Sequence, residues 1–278
     1  MTAVRLARRY WIDLVALALA VVVFIVPFIF IVVTAAKTQL EASSLDFALP
    51  TQWKIVENLQ AVLSERNGIM VTALRNSLIL TVASVAITVV LASLIAFVIQ
   101  RRRDRVAALV SGLFLAGLII PPAVVPTIFL LQALGLFKTL AGLILVEVAF
   151  AMPFAILVFV AFVSVIPREL DEAALMDGAT PFRLYRSVIL PLLRPAMITI
   201  IVVLSVAIYN DFVNPLYFLP GNDNATVQLT LFNFQSQFNT RWNLLFADVL
   251  LITIPPLIMF IFFQRQLASG LTAGAVKG

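Results

Sequence analysis

The sequence of 278 residues contains no histidine and no cysteine. These absences exclude imidazole bases, thiol nucleophiles, thiolate metal sites and disulfide bonds. Charged residues are also scarce, at 12% of the chain, whereas soluble domains carry about a quarter. What remains is strongly apolar, with 62% hydrophobic residues and a mean hydropathy of +1.08. The composition therefore indicates a membrane protein.

A phosphate-binding P-loop is missing as well. Gly112 and Gly117 have the spacing of the two glycines in G-x-x-x-x-G-K-[ST], but Leu118 follows where the pattern requires lysine. The chain is therefore predicted not to hydrolyse ATP. Because the sequence offers no paired constellation of Ser, Asp or Glu, we predict no catalytic residues, no metal site and no enzymatic activity of its own.

Six long windows with few charges predict an all-α, polytopic membrane protein with six transmembrane helices, since about 20 apolar residues cross a bilayer. The predicted spans are 14–36, 76–100, 106–131, 140–165, 195–219 and 245–264. The third lies in an uncharged stretch with Pro121, Pro122 and Pro126 near its middle, which predicts one kinked helix. We interpret residues 1–278 as a single membrane domain with a loop at 167–194 and a tail at 265–278.

The positive residues predict the orientation of the spans. With the N-terminus in the cytoplasm, thirteen of the 19 Lys and Arg residues fall in cytoplasmic segments, as the positive-inside rule requires. We therefore expect both termini in the cytoplasm and interpret the basic run 101–105 as a stop signal at the inner face. The alternative is that 14–36 belongs to a cleaved signal peptide, but its apolar stretch exceeds the roughly 7 to 15 residues of such segments.

The loop at 167–194 carries local signals for two short cytoplasmic helices. Pro167 suits a first helical position, and three acids follow where the helix dipole favours them. Gly178 is predicted to end this helix. The pair Thr180–Pro181 is typical of an N-cap and first position, and it predicts a second helix that ends at Pro191.

Six positions of this loop stand at a fixed spacing: Glu172, Ala173, Ala174, Gly178, Leu190 and Pro191. The pattern resembles the EAA loop of ABC-importer permease subunits, with Val188 where the family usually has isoleucine. The resemblance implies that the loop is a coupling helix that docks in a cleft of a separate ATPase. Without it, the loop would be interpreted as an amphipathic segment on the membrane surface, and Glu172 as a dipole partner worth about 0.3 to 1 kcal/mol.

A second similarity lies in the tail, which contains Gly270, Leu271, Thr272, Gly274 and Lys277. A tail with three glycines would normally be interpreted as disordered. This tail, however, resembles the ending of the second permease subunit of maltose-type carbohydrate transporters. In that family the tail reaches the ATPase, so these residues are predicted to contact it.

The resemblance implies a prokaryotic importer of several subunits in the cytoplasmic membrane. Its other parts would be a second permease, two ATPase subunits that bind ATP and Mg, and an extracytoplasmic solute-binding protein that delivers a sugar or oligosaccharide. This chain would bind no cofactor and no nucleic acid. In the family the loop before the last span reaches into the binding protein, so Asn222, Asp223 and Asn224 are predicted contacts.

Polar residues inside predicted spans are candidates for the translocation path, since such groups are costly in lipid unless they are paired or functional. The candidates are Glu147, Tyr209, Asn210, Asp211 and Asn214. The alternative for the group near Asn210 is hydrogen bonding between helices, to the partner permease. Asp248 stands where the family usually has a small residue, and the sequence predicts no role for it.

Two other functions stay open at this point. One is an ABC permease of the same fold that carries a solute other than a sugar, although the tail favours sugar. The other is an ion-coupled secondary transporter in which Glu147 and Asp211 carry protons or sodium ions. The identity of the sugar does not follow from the sequence, because selectivity would lie mostly in the binding protein.

Overall fold

The computed structural model describes residues 11, 13–102, 104–221, 224–235 and 240–275, with side chains described through residue 264. Within these ranges the regular structure is entirely helical, as predicted. The principal helices are α1 (Asp13–Ala35), α2 (Gln39–Ala42), α3 (Ile55–Ser64), α4 (Ile69–Arg101), α5 (Arg105–Ile119), α6 (Val124–Ala133), α7 (Leu140–Ser164), α8 (Glu169–Met176), α9 (Pro181–Leu192), α10 (Arg194–Tyr209), α11 (Val213–Phe218), α12 (Val227–Thr230) and α13 (Trp242–Ala275).

Four helices have the length and apolar composition needed to cross a membrane: α1, α4, α7 and the Trp242–Gln264 part of α13. The number rises to six if each of two bent helix pairs forms one span. Helix α4 begins at Ile69, seven residues before the predicted start, because Gly68 with φ of 79° closes the preceding turn directly before it. A left-handed glycine is a common end of one helical segment, so the next one starts immediately.

The predicted third span is not one kinked helix. Helices α5 and α6 are separated by a break and meet at an angle of 116°. Pro121 and Pro122 have no N–H to donate, and Ile120 is extended with ψ of 124° because it precedes a proline. The two prolines therefore end α5 completely instead of bending it.

The predicted fifth span is also broken. Helix α10 ends at Tyr209, and a separate helix α11 begins at Val213. Sixteen residues of α-helix reach about 24 Å, which is shorter than the hydrocarbon core of a bilayer. The break therefore falls within the predicted span, and it places Asn210 and Asp211 in non-helical backbone.

The described residues divide into two compact units, of which one comprises the chain up to Val71 together with Leu229–Ile254. In this unit the buried amide of Asn58 donates to the carbonyl oxygens of Ala35 (2.8 Å) and Lys37 (2.9 Å), just after α1 ends. Its own oxygen accepts from Asn243 Nδ2 at 2.9 Å. The side chain thereby satisfies orphan carbonyls at a helix end and ties α3 to α1 and α13.

A reciprocal cap starts α2 in the same unit. The N–H of Glu41 donates to Thr38 Oγ1 (3.4 Å), and Glu41 Oε2 accepts from the N–H of Thr38 (3.0 Å). The other carboxylate oxygen accepts from the hydroxyl and the N–H of Thr51. These hydrogen bonds, with that from the Thr51 hydroxyl foremost, lower the pKa of Glu41 from 4.5 to about 2.

This cap is expected to be insensitive to pH until strongly acidic conditions. Because the folded pKa is lowered, the contribution of Glu41 is complete above pH 4.5 and is lost as the pH falls towards 2. Hydrogen exchange of the 38–51 peptide, corrected for the intrinsic rate, should therefore show constant protection from neutral pH to pH 4.5 and a loss below it. In Glu41→Gln this acid step should disappear, and a step that persists in the variant would contradict the assignment.

The second unit comprises residues 72–228 and the chain from Pro255 onward. Its core is centred on α7, whose buried residues include Leu143, Ile156 and Phe159. Helices α5, α10 and α11 pack against α7. Gly117 of α5 permits a close approach, since a Cβ at this position would lie 3.2 Å from Cγ of Pro153 in α7.

Candidate functional site

The loop at 167–194 forms a helix, a glycine turn and a second helix. Gly178 has φ of 78°, a conformation that side chains with a Cβ rarely adopt. Its N–H donates to the carbonyl of Leu175 (3.0 Å), and the N–H of Ala179 donates to the carbonyl of Ala174 (2.9 Å). These two bonds form a Schellman motif. The predicted end of α8 at Gly178 is confirmed, and its cause is the left-handed turn.

The second helix of the loop differs from the prediction at its end. Thr180 Oγ1 accepts from the N–H of Arg183 (3.3 Å), so the predicted N-cap is present. Pro191, however, does not end the helix, which continues to Leu192 and then bends by 72° into α10. A π-helical turn over Tyr185–Ile189 precedes the proline. Such a turn widens the helix locally, which relieves the clash that a proline ring makes with the carbonyl four residues earlier.

The two helices present different parts of the EAA pattern. Glu172, Ala173 and Gly178 are exposed to solvent, and Pro191 is exposed at the end of α9. Ala174 instead packs against the core, as does Val188. Helix α9 is held on α4 by Tyr185, whose hydroxyl shares a hydrogen bond of 2.8 Å with Ser93 Oγ. The exposed side of the loop is thus available to a partner, while its other side is anchored.

Sequence reasoning missed one contact of this loop. Arg101, interpreted above as part of a stop signal, places its Nε 2.6 Å from Asp171 Oδ2 in the first turn of α8. Asp171 is one of the three acids after Pro167 that were interpreted only as favoured by the helix dipole. The two residues lie 70 positions apart in the sequence, so no local pattern connects them.

A cavity of about 460 Å³ lies between α7 and α10, and it extends to the break after α10. Its charged lining consists of Glu147 from α7 and Asp211 from the break, whose carboxyl groups lie close enough to interact. Phe150 and Phe154 add aromatic rings to the same wall. Among the residues that the structure describes, no lysine or arginine lines this cavity.

Local hydrogen bonds explain why two acids meet there. Asp211 Oδ1 accepts from the N–H groups of Val213 (2.8 Å) and Asn214 (3.3 Å), which caps the first turn of α11. The side-chain amide of Asn214 donates to Glu147 Oε1 at 3.1 Å. The break between α10 and α11 therefore turns Asn214 towards α7, and three of the predicted path residues form one polar cluster.

The other two predicted path residues are placed differently. Asn210 donates to the carbonyl of Val206 (2.9 Å), and its Oδ1 accepts from Gln228 Nε2 (3.2 Å). It therefore borders the cluster without lining the cavity. Tyr209 is buried and lines a separate cavity of about 150 Å³ with Thr81 and other residues. The structure does not bring Tyr209 together with Glu147 and Asp211.

Residues 88–273 match the family described as "Binding-protein-dependent transport system inner membrane component", and this match covers more than half of the chain. The chain belongs to this family. It is therefore a permease, a transport subunit of ABC importers, and a multi-pass inner membrane protein, as the EAA pattern predicted.

Relatives and a solved structure agree with this membership. The permease is 35% identical over 217 residues to the trehalose transport system permease protein SugB of Mycobacterium tuberculosis. The aligned region covers 77% of this chain and 79% of SugB. It is 30% identical over 260 residues to the diacetylchitobiose uptake system permease protein NgcG of Streptomyces coelicolor. The aligned region covers 92% of this chain and 85% of NgcG. The predicted resemblance to carbohydrate permeases is confirmed.

The fold is shared with the crystal structure of a bacterial ABC transporter involved in the import of the acidic polysaccharide alginate. The TM-score is 0.80 at 19% sequence identity, with 95% of this chain and 98% of the other covered. The predicted all-α membrane fold is therefore shared with this importer over nearly the whole chain.

The permease's remaining predicted contacts are those with the binding protein, at residues 222–224, and those of the tail with the ATPase. Asn222, Asp223 and Lys277 fall outside the residues that the structure describes. The side-chain amide of Asn224 donates to the carbonyl of Lys138 at 3.2 Å, so it holds its own loop in place. The four tail residues Gly270, Leu271, Thr272 and Gly274 continue α13, where the composition alone would have indicated a disordered segment.

Asp248, which the sequence left without a role, is completely buried in the permease's first unit. Its Oδ2 accepts from Thr230 Oγ1 at 2.9 Å. The bond connects the end of α12 to the second turn of α13, so Asp248 stabilises the segment that precedes the last span. Among the described residues, no group of three or more acidic side chains is placed to hold a metal ion.

Proposed function

We propose that this permease forms half of a transmembrane path through which an ATP-driven importer moves a sugar or oligosaccharide into the cytoplasm. The observation that carries the proposal is the cavity at α7 and α10, where Glu147 lies in a helix with the composition of a membrane span and Asp211 follows closely after the end of another apolar helix. Carboxyl groups in such segments are costly unless they serve a path or a partner. The SugB and NgcG relatives, which are permeases for trehalose and diacetylchitobiose, support a carbohydrate as the solute.

The chemistry of the cavity suits a carbohydrate. Sugar hydroxyls donate hydrogen bonds, and carboxylate oxygens accept them. The rings of Phe150 and Phe154 offer apolar surface to the C–H face of a pyranose. A site with a few placed polar groups on aromatic walls is typical of small-molecule recognition.

The exposed EAA loop supports a cytoplasmic ATPase partner. The sequence has no P-loop, so ATP and Mg would be bound by two separate ATPase subunits. One chain of up to six spans supplies half of the path, and a second permease would complete it. A solute-binding protein would deliver the sugar from outside, and both termini would lie in the cytoplasm with the loop at 167–194 and the tail.

Alternating access follows from these parts. ATP-driven closure of the two ATPases would draw the EAA loops of both permeases together and convert an inward-open path into an outward-open one. Hydrolysis would reset the path. The permease would thereby move its solute without making or breaking a covalent bond in it, and Glu172, Ala173 and the exposed turn at Gly178 would form the contact surface.

The test is uptake of labelled oligosaccharides by proteoliposomes that contain the co-purified complex. We expect uptake to need both ATP and the binding protein, and Glu172→Lys to lower it by about tenfold through lost pairing with a basic group of the ATPase. Glu169→Lys is the matched control, because this exposed acid lies in the same first turn but outside the EAA pattern.

Two results would contradict the proposal. Uptake that persists without ATP and collapses with an ion gradient would instead favour the secondary transporter, with Glu147 and Asp211 as ion carriers. A complex that responds to no sugar but transports a polyamine, phosphate or amino-acid derivative would favour the same fold with another solute.

A further inference from the structure

Three helical segments meet at the side chain of Arg101, the last residue of α4. Its Nη2 donates to Asp171 Oδ1 (3.2 Å) and to the carbonyl of Ile166 (3.2 Å), directly after the end of α7. Its Nε lies 2.6 Å from Asp171 Oδ2, so the guanidinium contacts both carboxylate oxygens. The ion pair and the two hydrogen bonds from Nη2 together restrain how the guanidinium lies between the helices.

A second arginine makes the connection reciprocal. Arg168, at the start of α8, donates through Nη2 to the carbonyl of Gln100 at 3.2 Å. Carbonyl groups in the last turn of a helix have no partner within the helix, and positive groups are favoured beside them. Each arginine therefore binds the end of the other helix. As a result, α4 cannot move away from α8 without breaking both contacts.

The surroundings of this ion pair distinguish it from a neighbouring one. The Arg101 and Asp171 side chains are 13% and 14% exposed. Arg102 and Asp104 also approach to 2.6 Å, but their side chains are 58% and 41% exposed. Water screens an exposed pair strongly, whereas removing one partner of a buried pair leaves an uncompensated charge. The chain thus provides a matched pair of contacts at the same helix end, of which only the part-buried one reaches the EAA loop.

We propose that the Arg101–Asp171 ion pair is the joint that transmits displacement of the EAA loop to α4 and α7, so that its loss uncouples ATP hydrolysis from transport. The proposal rests on the function proposed above, because it needs an ATPase that moves the loop. Both residues act through the helices that they connect. They are positioning residues and do not contact the solute.

The experiment compares the number of solute molecules transported per ATP hydrolysed in the reconstituted complex. Arg101→Asp and Asp171→Arg are expected to keep ATPase association and basal hydrolysis while the ratio falls by about tenfold, since each leaves like charges facing one another. Asp171→Asn keeps the shape and removes only the charge, so it should lower the ratio with little risk to folding. The charge-exchanged double variant should recover most of the ratio, and Arg102→Asp should stay within about twofold of wild type.

The proposal is overturned if Asp171→Asn and both reversals keep the wild-type ratio. It is equally overturned if the reversals abolish assembly, the double variant restores nothing and Asp171→Asn is unaffected, because the contact would then serve folding alone. Failure of the proposed function looks different, since the wild-type complex itself would show no ATP-dependent uptake. A lowered ratio at normal basal hydrolysis, restored by the charge exchange, supports the joint.

Discussion

Glu147→Lys is expected to lower the initial rate of solute uptake by about a hundredfold, which corresponds to about 3 kcal/mol of lost stabilisation along the path. The lysine ammonium would lie opposite Asp211 and form an ion pair across the cavity that sugar hydroxyls are proposed to occupy. The amide of Asn214, which donates to Glu147 Oε1, would face another donor and lose its partner. Uptake in proteoliposomes is the measurement, with the amount of assembled complex determined in parallel.

Glu147→Gln is the matched control for this change. Glutamine keeps the length of the side chain, and its oxygen still accepts from Asn214, so uptake should fall by no more than about tenfold. Wild-type uptake in Glu147→Lys, at equal assembly, would show that the cavity at α7 and α10 is not part of the path. Equal losses in both variants would instead favour a role for the proton or charge of Glu147, as in the secondary transporter.

The second large effect is expected at Gly178. Gly178→Val should lower co-purification of the ATPase by about tenfold, because a β-branched residue in the left-handed region costs roughly 1 to 2 kcal/mol or more. A Cβ at this position would meet no atom of this chain within 4 Å apart from its neighbours in sequence, so the permease itself has room for a side chain there. We therefore expect the effect to come from the backbone, through the φ of 78° that the Schellman turn needs.

Gly178→Asn separates the backbone explanation from others. Asparagine adds a larger side chain than alanine but adopts the left-handed conformation readily, so its binding of the ATPase should stay within about threefold of wild type. Co-purification of the ATPase with Gly178→Ala is expected to lie between the values for the asparagine and valine variants. If asparagine and valine were equally damaging, the exposed surface of the glycine would matter instead of its conformation.

Much of the local structure followed from the sequence. The apolar run of α7 predicted a helix at 140–165, and the observed helix is Leu140–Ser164. The turn at Gly178 and the N-cap at Thr180 were also predictable, because each depends on residues within one helical turn. The EAA pattern identified the family for the same reason, since its positions lie in one continuous segment.

The sequence was less informative about helix ends. The prolines after α5 predicted a kink in the helix. The observed angle of 116° between α5 and α6 depends on what each helix packs against. Pro191 illustrates the opposite error: a π-helical turn accommodates it, so α9 continues to Leu192. The break in the fifth span was also not predicted, because hydropathy showed only an apolar window there. In the structure the side chain of Asp211 caps α11 at this break.

By itself the sequence determined the class of this protein: a helical membrane permease with an EAA loop. The tertiary structure decided which polar residues meet. It joined Glu147 to Asn214 across 67 positions and Arg101 to Asp171 across 70, and it placed Tyr209 at a different cavity. Helical periodicity and capping act over a few residues, so a sequence read locally contains them. Contacts between distant segments depend on how the helices pack, and these contacts form both the polar cluster and the joint at the EAA loop.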